Sequence, residues 1–193
     1  EGVDFTGKRV AVIGTGSSAI QSIPVIAAEA AEVTVFQRTP NFSIPSRNVP
    51  MTDEYEQSWK SVYPERRAAA RMTRNGVLAD PNDFSALSVS EEERQRIYED
   101  RWRRGGTTFM AAFNDLIVDK AANDTAAAFV RSKIRDMVKD PRTAELLAPT
   151  SHPIGTKRIC VDTAYFETYN RPNVTLVDIR PAGIERITPQ GVL

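Results

Sequence analysis

The segment that decides the predicted fold is RVAVIGTGSSAIQ, residues 9–21. It opens with the β-branched run Arg9 to Ile13, which lies between two glycines and is typical of a buried parallel strand. Helix-forming residues with apolar spacing follow from Ser17 to Ala31, where Pro24 is expected to bend the helix or remove one hydrogen bond. A second strand is predicted from Val33 to Gln37. Together these elements have the size of a strand–helix–strand crossover.

Glycines at a fixed spacing mark the turn between the first strand and the helix. Gly14-Thr15-Gly16-Ser17-Ser18-Ala19 fits the dinucleotide-binding fingerprint, with alanine in the third glycine position. Gly14 allows the tight turn, Gly16 lets backbone approach a pyrophosphate, and Ala19 keeps helix and strand close. The free N–H groups at the helix start attract phosphate. A dinucleotide site is therefore predicted, against the alternative of a glycine-rich turn with no ligand.

The end of the second strand indicates which dinucleotide is bound. An NAD site places a carboxylate there for the ribose 2′-hydroxyl. This chain has Gln37-Arg38-Thr39 instead. Arg38 can pair with a 2′-phosphate, and Thr39 can donate a further hydrogen bond. The residues favour NADP(H), with a solvated surface arginine as the alternative.

The middle of the chain has a different residue pattern, with prolines followed by helix signals. Prolines 40, 45 and 50 indicate an extended linker, after which a helix is predicted from Thr52 towards Arg74. Ser90 and Glu93 form a capping box for a helix that ends at Gly105-Gly106. Further helices are expected over residues 124–139 and 142–147. This block is interpreted as an all-helical insert.

Strand character returns near the end of the chain. Val174 to Asp178 is predicted as a strand, and residues 185–188 and 191–193 as parts of a hairpin or meander. Before them, Gly155-Thr156-Lys157-Arg158 lies in a loop that is expected to precede a helix. Two adjacent cations after a glycine can serve an anionic ligand, although a basic surface loop is the simpler reading. The prediction is thus an α/β Rossmann-like domain, with a parallel sheet flanked by helices and a β-meander, formed by residues 1–48 and 151–193 and interrupted by an insert at 49–150.

Composition excludes several other classes. The 193 residues include one cysteine, Cys160, and one histidine, His152, so neither a disulfide framework nor a metal site of cysteines and histidines is expected. Equal numbers of acidic and basic residues, 25 each, argue against a nucleic-acid partner. No apolar run is long enough to span a membrane, and no signal pattern is seen, so a cytoplasmic setting is expected. Cys160 is expected to be buried and His152 to pack in a loop.

Three stretches and part of the helical block together resemble one family. They are GKRVAVIGTGSSAIQ (7–21), VFQRTPNFSIPSRN (35–48), HPIGTKRICVDTAYFETYNRPNVTLVD (152–178) and LSVSEEERQRIYEDRW (87–102). The chain resembles the NADPH domain of type I Baeyer–Villiger monooxygenases, flavoenzymes of the cyclohexanone, phenylacetone and steroid monooxygenase type. In these enzymes FAD is reduced by NADPH and reacts with O2, and a ketone becomes an ester or lactone.

The resemblance also implies roles for individual residues. Thr15 through Gln21 would line the pyrophosphate of NADP and adjoining parts. Arg38, Thr39 and Lys157 would hold the 2′-phosphate. Arg158 would be the active-site arginine that stabilises negative charge during oxygenation, because its guanidinium stays cationic at any working pH.

The resemblance implies as well that most of the FAD site lies in a domain absent from this chain. Alone, the chain is therefore expected to bind NADP(H) at most. Two alternatives stay open, namely an N- or S-oxygenating flavin monooxygenase and a non-catalytic NADP-binding sensor domain. A short-chain reductase is disfavoured, because no lysine has a tyrosine four positions earlier.

Overall fold

A three-stranded parallel sheet lies at the centre of the chain in a computed structural model, which describes residues 2–73 and 76–193. The strands are β1 (Arg9–Ile13), β2 (Glu32–Gln37), β3 (Ser43–Pro45), β4 (Cys160–Asp162), β5 (Val174–Asp178), β6 (Ile187–Thr188) and β7 (Gly191–Val192). The helices are α1 (Ser17–Glu29), α2 (Asp53–Lys60), α3 (Tyr63–Arg71), α4 (Glu91–Arg104), α5 (Lys120–Met137), α6 (Pro141–Leu147) and α7 (Tyr165–Thr168). The expected mixed α/β class with a parallel sheet is confirmed.

The sheet has the strand order β1-β2-β5, with β2 in the middle. Its buried face follows the strand alternation, since Val33 and Val35 are almost fully buried. The apolar stripe of α1, formed by Ile20, Ile23 and Ala27, is buried in the same core. Burial of a side chain of this size contributes roughly 1.5–3 kcal/mol, so the pattern fixes which face of each element points inwards. The strand predictions for Arg9–Ile13 and Val174–Asp178 are confirmed.

Residues 53–147, which we call the helical segment, contain α2 to α6 and no strand among their described residues. An aromatic cluster forms their core. Tyr98 lies with its ring centroid 5.6 Å from that of Phe109, 5.3 Å from that of Phe113 and 5.3 Å from that of Phe129. The Tyr98 hydroxyl shares a hydrogen bond of 2.7 Å with Thr125. Edge and offset ring contacts of this kind add to the area that the rings bury.

Two of the predicted helices are confirmed with small changes. α4 begins after Ser90, whose hydroxyl accepts a hydrogen bond from the Glu93 N–H, and it ends at Gly105, as predicted. The last helix of the segment begins at Pro141 rather than Arg142, since proline suits the first turn of a helix.

Other boundaries in the helical segment were predicted wrongly. The helix expected from Thr52 to Arg74 is two helices, α2 and α3, separated at Ser61 and Val62; Arg74 lies outside the described residues. α5 begins at Lys120 rather than Asp124, because the Asp119 carboxylate caps it by accepting from the Ala122 N–H at 2.8 Å.

The proline-rich stretch after residue 40 is not a plain linker. It contains β3, which pairs in parallel with β4 in the register Ser43 to Cys160. β4 follows the basic loop directly, and the helix expected after that loop comes next, as α7. The short hairpin near the end of the chain is confirmed, with β6 and β7 antiparallel. Tertiary pairing explains why β3 and β4 were not predicted, since three-residue strands have too little sequence for a period to show.

The helical segment meets the strands at a crowded glycine. Gly105 has a φ of +71°, and a Cβ placed on it would overlap the Pro45 carbonyl oxygen and Arg47 Cγ. Gly106 has a similar φ of +73°, but a Cβ there would meet nothing within 4 Å. Gly105 also has a ψ of −167°, so its backbone lies in a region that glycine alone adopts readily, and crowding adds to that cost.

We expect Gly106→Ala to lower the free energy of unfolding by roughly 1–2 kcal/mol, the usual cost of a left-handed alanine. Gly105→Ala should cost about 1–3 kcal/mol more, because the methyl group also overlaps backbone. Urea unfolding of the two variants measures the difference. Equal losses would show that the contact between α4 and β3 is not tightly packed.

Within residues 2–73 and 76–193, none of the helices combines the length and the apolar character needed to cross a membrane.

Candidate cofactor and active site

The turn after β1 is fixed by two hydrogen bonds to β2 and the residues that follow it. Gly14 has a φ of +96°, which only glycine adopts without strain, and its N–H donates to the Phe36 carbonyl at 2.9 Å. The buried Thr15 hydroxyl donates to the Thr39 carbonyl at 3.0 Å. These bonds place Arg38 and Thr39 beside the glycine turn, as the fingerprint predicted.

Neither the backbone conformation nor the packing at position 16 requires a glycine. The Gly16 backbone is extended, with φ −83° and ψ −176°, so any residue could adopt it. A Cβ on Gly16 would meet nothing within 4 Å. Neither strain nor packing therefore explains the residue, whereas the close approach of a ligand would.

The start of α1 is open to an anion. Gly16 is the N-cap and gives no side-chain hydrogen bond, and the first turn contains no acidic residue. Ser17, Ser18 and Gln21 are exposed, and Ala19 is half-buried. Helix N–H groups without a partner, together with the positive end of the helix dipole, favour a negatively charged group at this position.

Packing of β4 against α1 brings the basic loop to this turn. The Cys160 thiol, two residues after Arg158, lies within hydrogen-bond reach of the Ser17 side chain. Asn41 donates to the same sulfur at 3.2 Å. Burial raises the pKa of the Cys160 thiol, against the lowering by these hydrogen bonds, so the group is an unreactive anchor. The expectation of a buried thiol is confirmed.

Three cations at the site have no acidic partner in the described part of the chain. Arg38, Lys157 and Arg158 are exposed, and none forms a salt bridge with a described residue. Seven other described arginines form a salt bridge, as Arg180 does with Asp178 at 2.6 Å. Exposed cations without an acidic partner are available to bind an anionic ligand.

Arg158 also faces a cavity of about 680 Å³ between the basic loop and the helical segment. Its apolar lining includes Val77, Met110, Ile117 and Ile159. A guanidinium beside this lining can stabilise a negative charge on a ligand that enters the cavity.

His152 lies against the core rather than in the cavity lining. Its ring centroid is 5.5 Å from that of Phe42 in an edge contact, and its Nδ1 lies 3.2 Å from the Ser151 hydroxyl. Desolvation, then the charges of Lys157 and Arg131, lower the pKa of His152. The expectation of loop packing is confirmed.

Sequence reasoning missed two buried polar residues near the site. Asp162 is 5% exposed and accepts hydrogen bonds from the Ser43 hydroxyl at 2.5 Å and the Tyr165 N–H at 3.1 Å. Burial raises the pKa of its carboxyl group. Gln37 is 2% exposed and donates to the Leu146 carbonyl at 2.7 Å, which links the end of β2 to α6. For Gln37 there was a signal, since alternation from Val33 and Val35 places it on the buried face.

Curated relatives match the chain from end to end. A 2-oxo-Delta(3)-4,5,5-trimethylcyclopentenylacetyl-CoA monooxygenase of Pseudomonas putida is 45% identical over 100% of the chain and 35% of its own length. A phenazine N-monooxygenase of Lysobacter antibioticus is 42% identical over 99% of the chain and 35% of its own length. A Baeyer–Villiger monooxygenase of Pseudooceanicola batsensis is 38% identical over 100% of the chain and 35% of its own length. The chain spans about a third of the length of these relatives.

Solved structures show the same similarity as the curated relatives. An oxidised steroid monooxygenase bound to NADP superposes with a TM-score of 0.94 and 54% identity, over 100% of this chain and 37% of that one. No protein-family model matches the chain. Over its entire length, the chain is therefore similar to the corresponding third of Baeyer–Villiger monooxygenases.

Proposed function

We propose that this chain is the NADP(H)-binding part of an FAD-dependent Baeyer–Villiger monooxygenase, which inserts one oxygen atom of O2 into a ketone to give an ester or lactone. The supporting observation is the open turn at Gly16, together with three exposed cations that have no acidic partner in the described chain. With this function we propose that the chain divides into two parts. They are a Rossmann-like NADP domain of residues 1–48 and 151–193, and a helical insert of residues 49–150 that interrupts it. The FAD and the domain that binds it would come from the rest of such a protein.

The residues of the turn suit the pyrophosphate of NADP. The space beside Gly16 admits the phosphates to the backbone N–H groups of Ser17, Ser18 and Ala19. Exposed serine hydroxyls can donate further hydrogen bonds, and Gln21 lies one turn further along the same helix. Gly14 and Thr15 hold the turn itself.

Arg38, Thr39 and Lys157 suit the 2′-phosphate that distinguishes NADP from NAD. A planar guanidinium can pair with a phosphate through two hydrogen bonds, and the Lys157 ammonium adds a second positive charge. A carboxylate in the position of Arg38 would repel the 2′-phosphate instead. Selectivity for NADP(H) thus follows from charge at one end of β2.

When bound, FAD and NADPH supply the electron transfer and the activation of O2. The contribution of the chain in the cavity is Arg158. Its guanidinium stays cationic and gives up no proton, so it can stabilise negative charge on oxygen without quenching it. The apolar walls from the helical segment suit the hydrocarbon body of a ketone.

We expect Arg38→Ala to raise the KM for NADPH about tenfold or more, because charge-assisted hydrogen bonds to the 2′-phosphate are lost. The KM for NADH should change little. Steady-state kinetics of the full-length enzyme with both nucleotides tests this. Arg9→Ala is the matched control, since Arg9 is an exposed arginine at the far end of β1. Equal effects on both nucleotides would refute the assignment.

Gly16→Ala separates binding from folding. The new methyl group enters open space on an ordinary backbone, so the melting temperature without ligand should stay the same or rise slightly. NADP+ affinity, measured by isothermal titration calorimetry, should fall because the methyl group occupies the space proposed for the pyrophosphate. In contrast, Gly14→Ala should lower stability as well, since its φ is +96°. Undiminished affinity in Gly16→Ala would place the nucleotide elsewhere.

Arg158→Ala is expected to abolish ester formation while flavin reduction by NADPH continues at a measurable rate. Stopped-flow absorbance without oxygen follows reduction, and gas chromatography follows the ester. Arg158→Lys keeps the charge but not the planar guanidinium, so it reports how much the geometry contributes. Normal ketone turnover in Arg158→Ala would contradict the role.

N-oxygenation is a second candidate, favoured by the 42% identity to a phenazine N-monooxygenase. The nucleotide site would be the same, and only the acceptor in the cavity would differ. Parallel assays of the wild-type enzyme with a cyclic ketone and an aromatic N-heterocycle distinguish the two, since the product is an ester in one case and an N-oxide in the other.

A further inference from the structure

The loop with Lys157 and Arg158 has little support of its own. Residues 155–158 are all exposed, and they lie between two buried residues, Ile154 and Cys160. Within the loop, Thr156 bonds only to the Pro153 carbonyl, with its N–H at 3.4 Å and its hydroxyl at 2.8 Å. The position of the two cations therefore depends on how the loop ends are held.

β3 holds the Cys160 end of the loop. The Cys160 N–H donates to the Phe42 carbonyl at 3.2 Å, and the strand pairing continues to Asp162.

One side chain from α5 holds the other end. Asn123 is 5% exposed, and its Nδ2 donates to the Ile154 carbonyl at 2.7 Å. Its Oδ1 accepts from the Ile154 N–H at 3.1 Å. The amide thus binds both backbone groups of one residue, as a neighbouring strand would. A third bond, from Nδ2 to the Leu116 carbonyl at 2.7 Å, fixes the Asn123 amide in turn.

α5 supports the same stretch at a second point, where Arg131 Nε donates to the Pro149 carbonyl at 2.7 Å. After Ile154 the chain turns sharply at Gly155, which has a φ of +88° and would bring a Cβ to 3.2 Å from Met110 Cε. The turn directly follows Ile154, so a shift in the position of Ile154 also moves Lys157 and Arg158.

We propose that Asn123 is a positioning residue, which holds the loop of Lys157 and Arg158 in place by hydrogen-bonding both backbone groups of Ile154. The inference rests on the proposed function of those two cations. The helical segment then contributes more than the apolar wall of the cavity, because it orders the cationic loop before ligand arrives. A loop ordered in advance loses less conformational entropy on binding.

Asn123→Leu tests the proposal in the full-length protein, because leucine keeps a similar shape and loses all three hydrogen bonds. The Kd for NADP+, measured by calorimetry, should rise about fivefold or more, since buried partners lose their bonds. The Kd for NAD+ should change less than about twofold, because the 2′-phosphate contact is the one that depends on the loop. Hydrogen exchange at the Ile154 amide should speed up by at least about tenfold.

Asn123→Asp is the second variant, in case the first one folds poorly. It places a carboxylate oxygen against the carbonyls of Leu116 and Ile154, and the same loss of NADP+ selectivity is expected. Tyr98→Phe is the matched control, since it removes a hydrogen bond to Thr125 within the helical segment rather than one to the loop. It should lower stability without changing the ratio of the two Kd values.

An unchanged ratio of NADP+ to NAD+ affinity in both Asn123 variants overturns the inference, as does an equal change in Tyr98→Phe. Lys157→Ala distinguishes a failure of this inference from a failure of the proposed function. If Lys157→Ala leaves the ratio unchanged, the 2′-phosphate role of Lys157 fails, whatever Asn123 does. If Lys157→Ala lowers the ratio and adding Asn123→Leu lowers it no further, the two residues act through one contact, as the proposal requires.

Discussion

The pairing of β3 with β4 is the constraint on which the arrangement of the site depends. It joins residues 117 positions apart, and the Ser43 hydroxyl reinforces it by donating to the Asp162 carboxylate at 2.5 Å. Closing so long a loop costs conformational entropy, although the cost grows slowly with length. Burial raises the pKa of Asp162, and its contacts with Ser43 and the Tyr165 N–H offset part of the desolvation. With the strands paired, the start of α1, the end of β2 and the basic loop lie at one edge.

The site separates two kinds of surface. On one side, an uncapped helix start and exposed cations offer hydrogen-bond donors and positive charge, with no acidic residue in the first turn of α1. On the other side, the cavity is lined mainly by apolar and small side chains from the helical segment. Arg158 is the residue common to both, because it follows Lys157 in the loop and lines the cavity. A chemistry with an anionic nucleotide and an apolar substrate needs both surfaces in contact, and this loop joins them.

Local patterns predicted much of the fold and the candidate site. The glycine spacing, the β-branched run before it and the apolar period after it gave β1, the turn and α1 almost to the residue. Arg38 and Thr39 followed from their place at the end of β2. β3 and β4 could not be found in this way, because each has three residues and exists through its partner. α2 and α3 have no buried residue, so no apolar stripe fixed where one helix ends and the next begins.

The sequence by itself therefore determined the chemical identity of the turn and the charges around it, since these depend on residues within one helix turn or one strand of each other. Only the tertiary structure decided which distant groups meet. It showed that α1 packs against β4, that Gln37 reaches Leu146 and that Asn123 hydrogen-bonds Ile154. The reason is physical: a buried amide or carboxyl group must find a hydrogen-bond partner wherever the packed chain provides one, and that partner has no fixed spacing in the sequence.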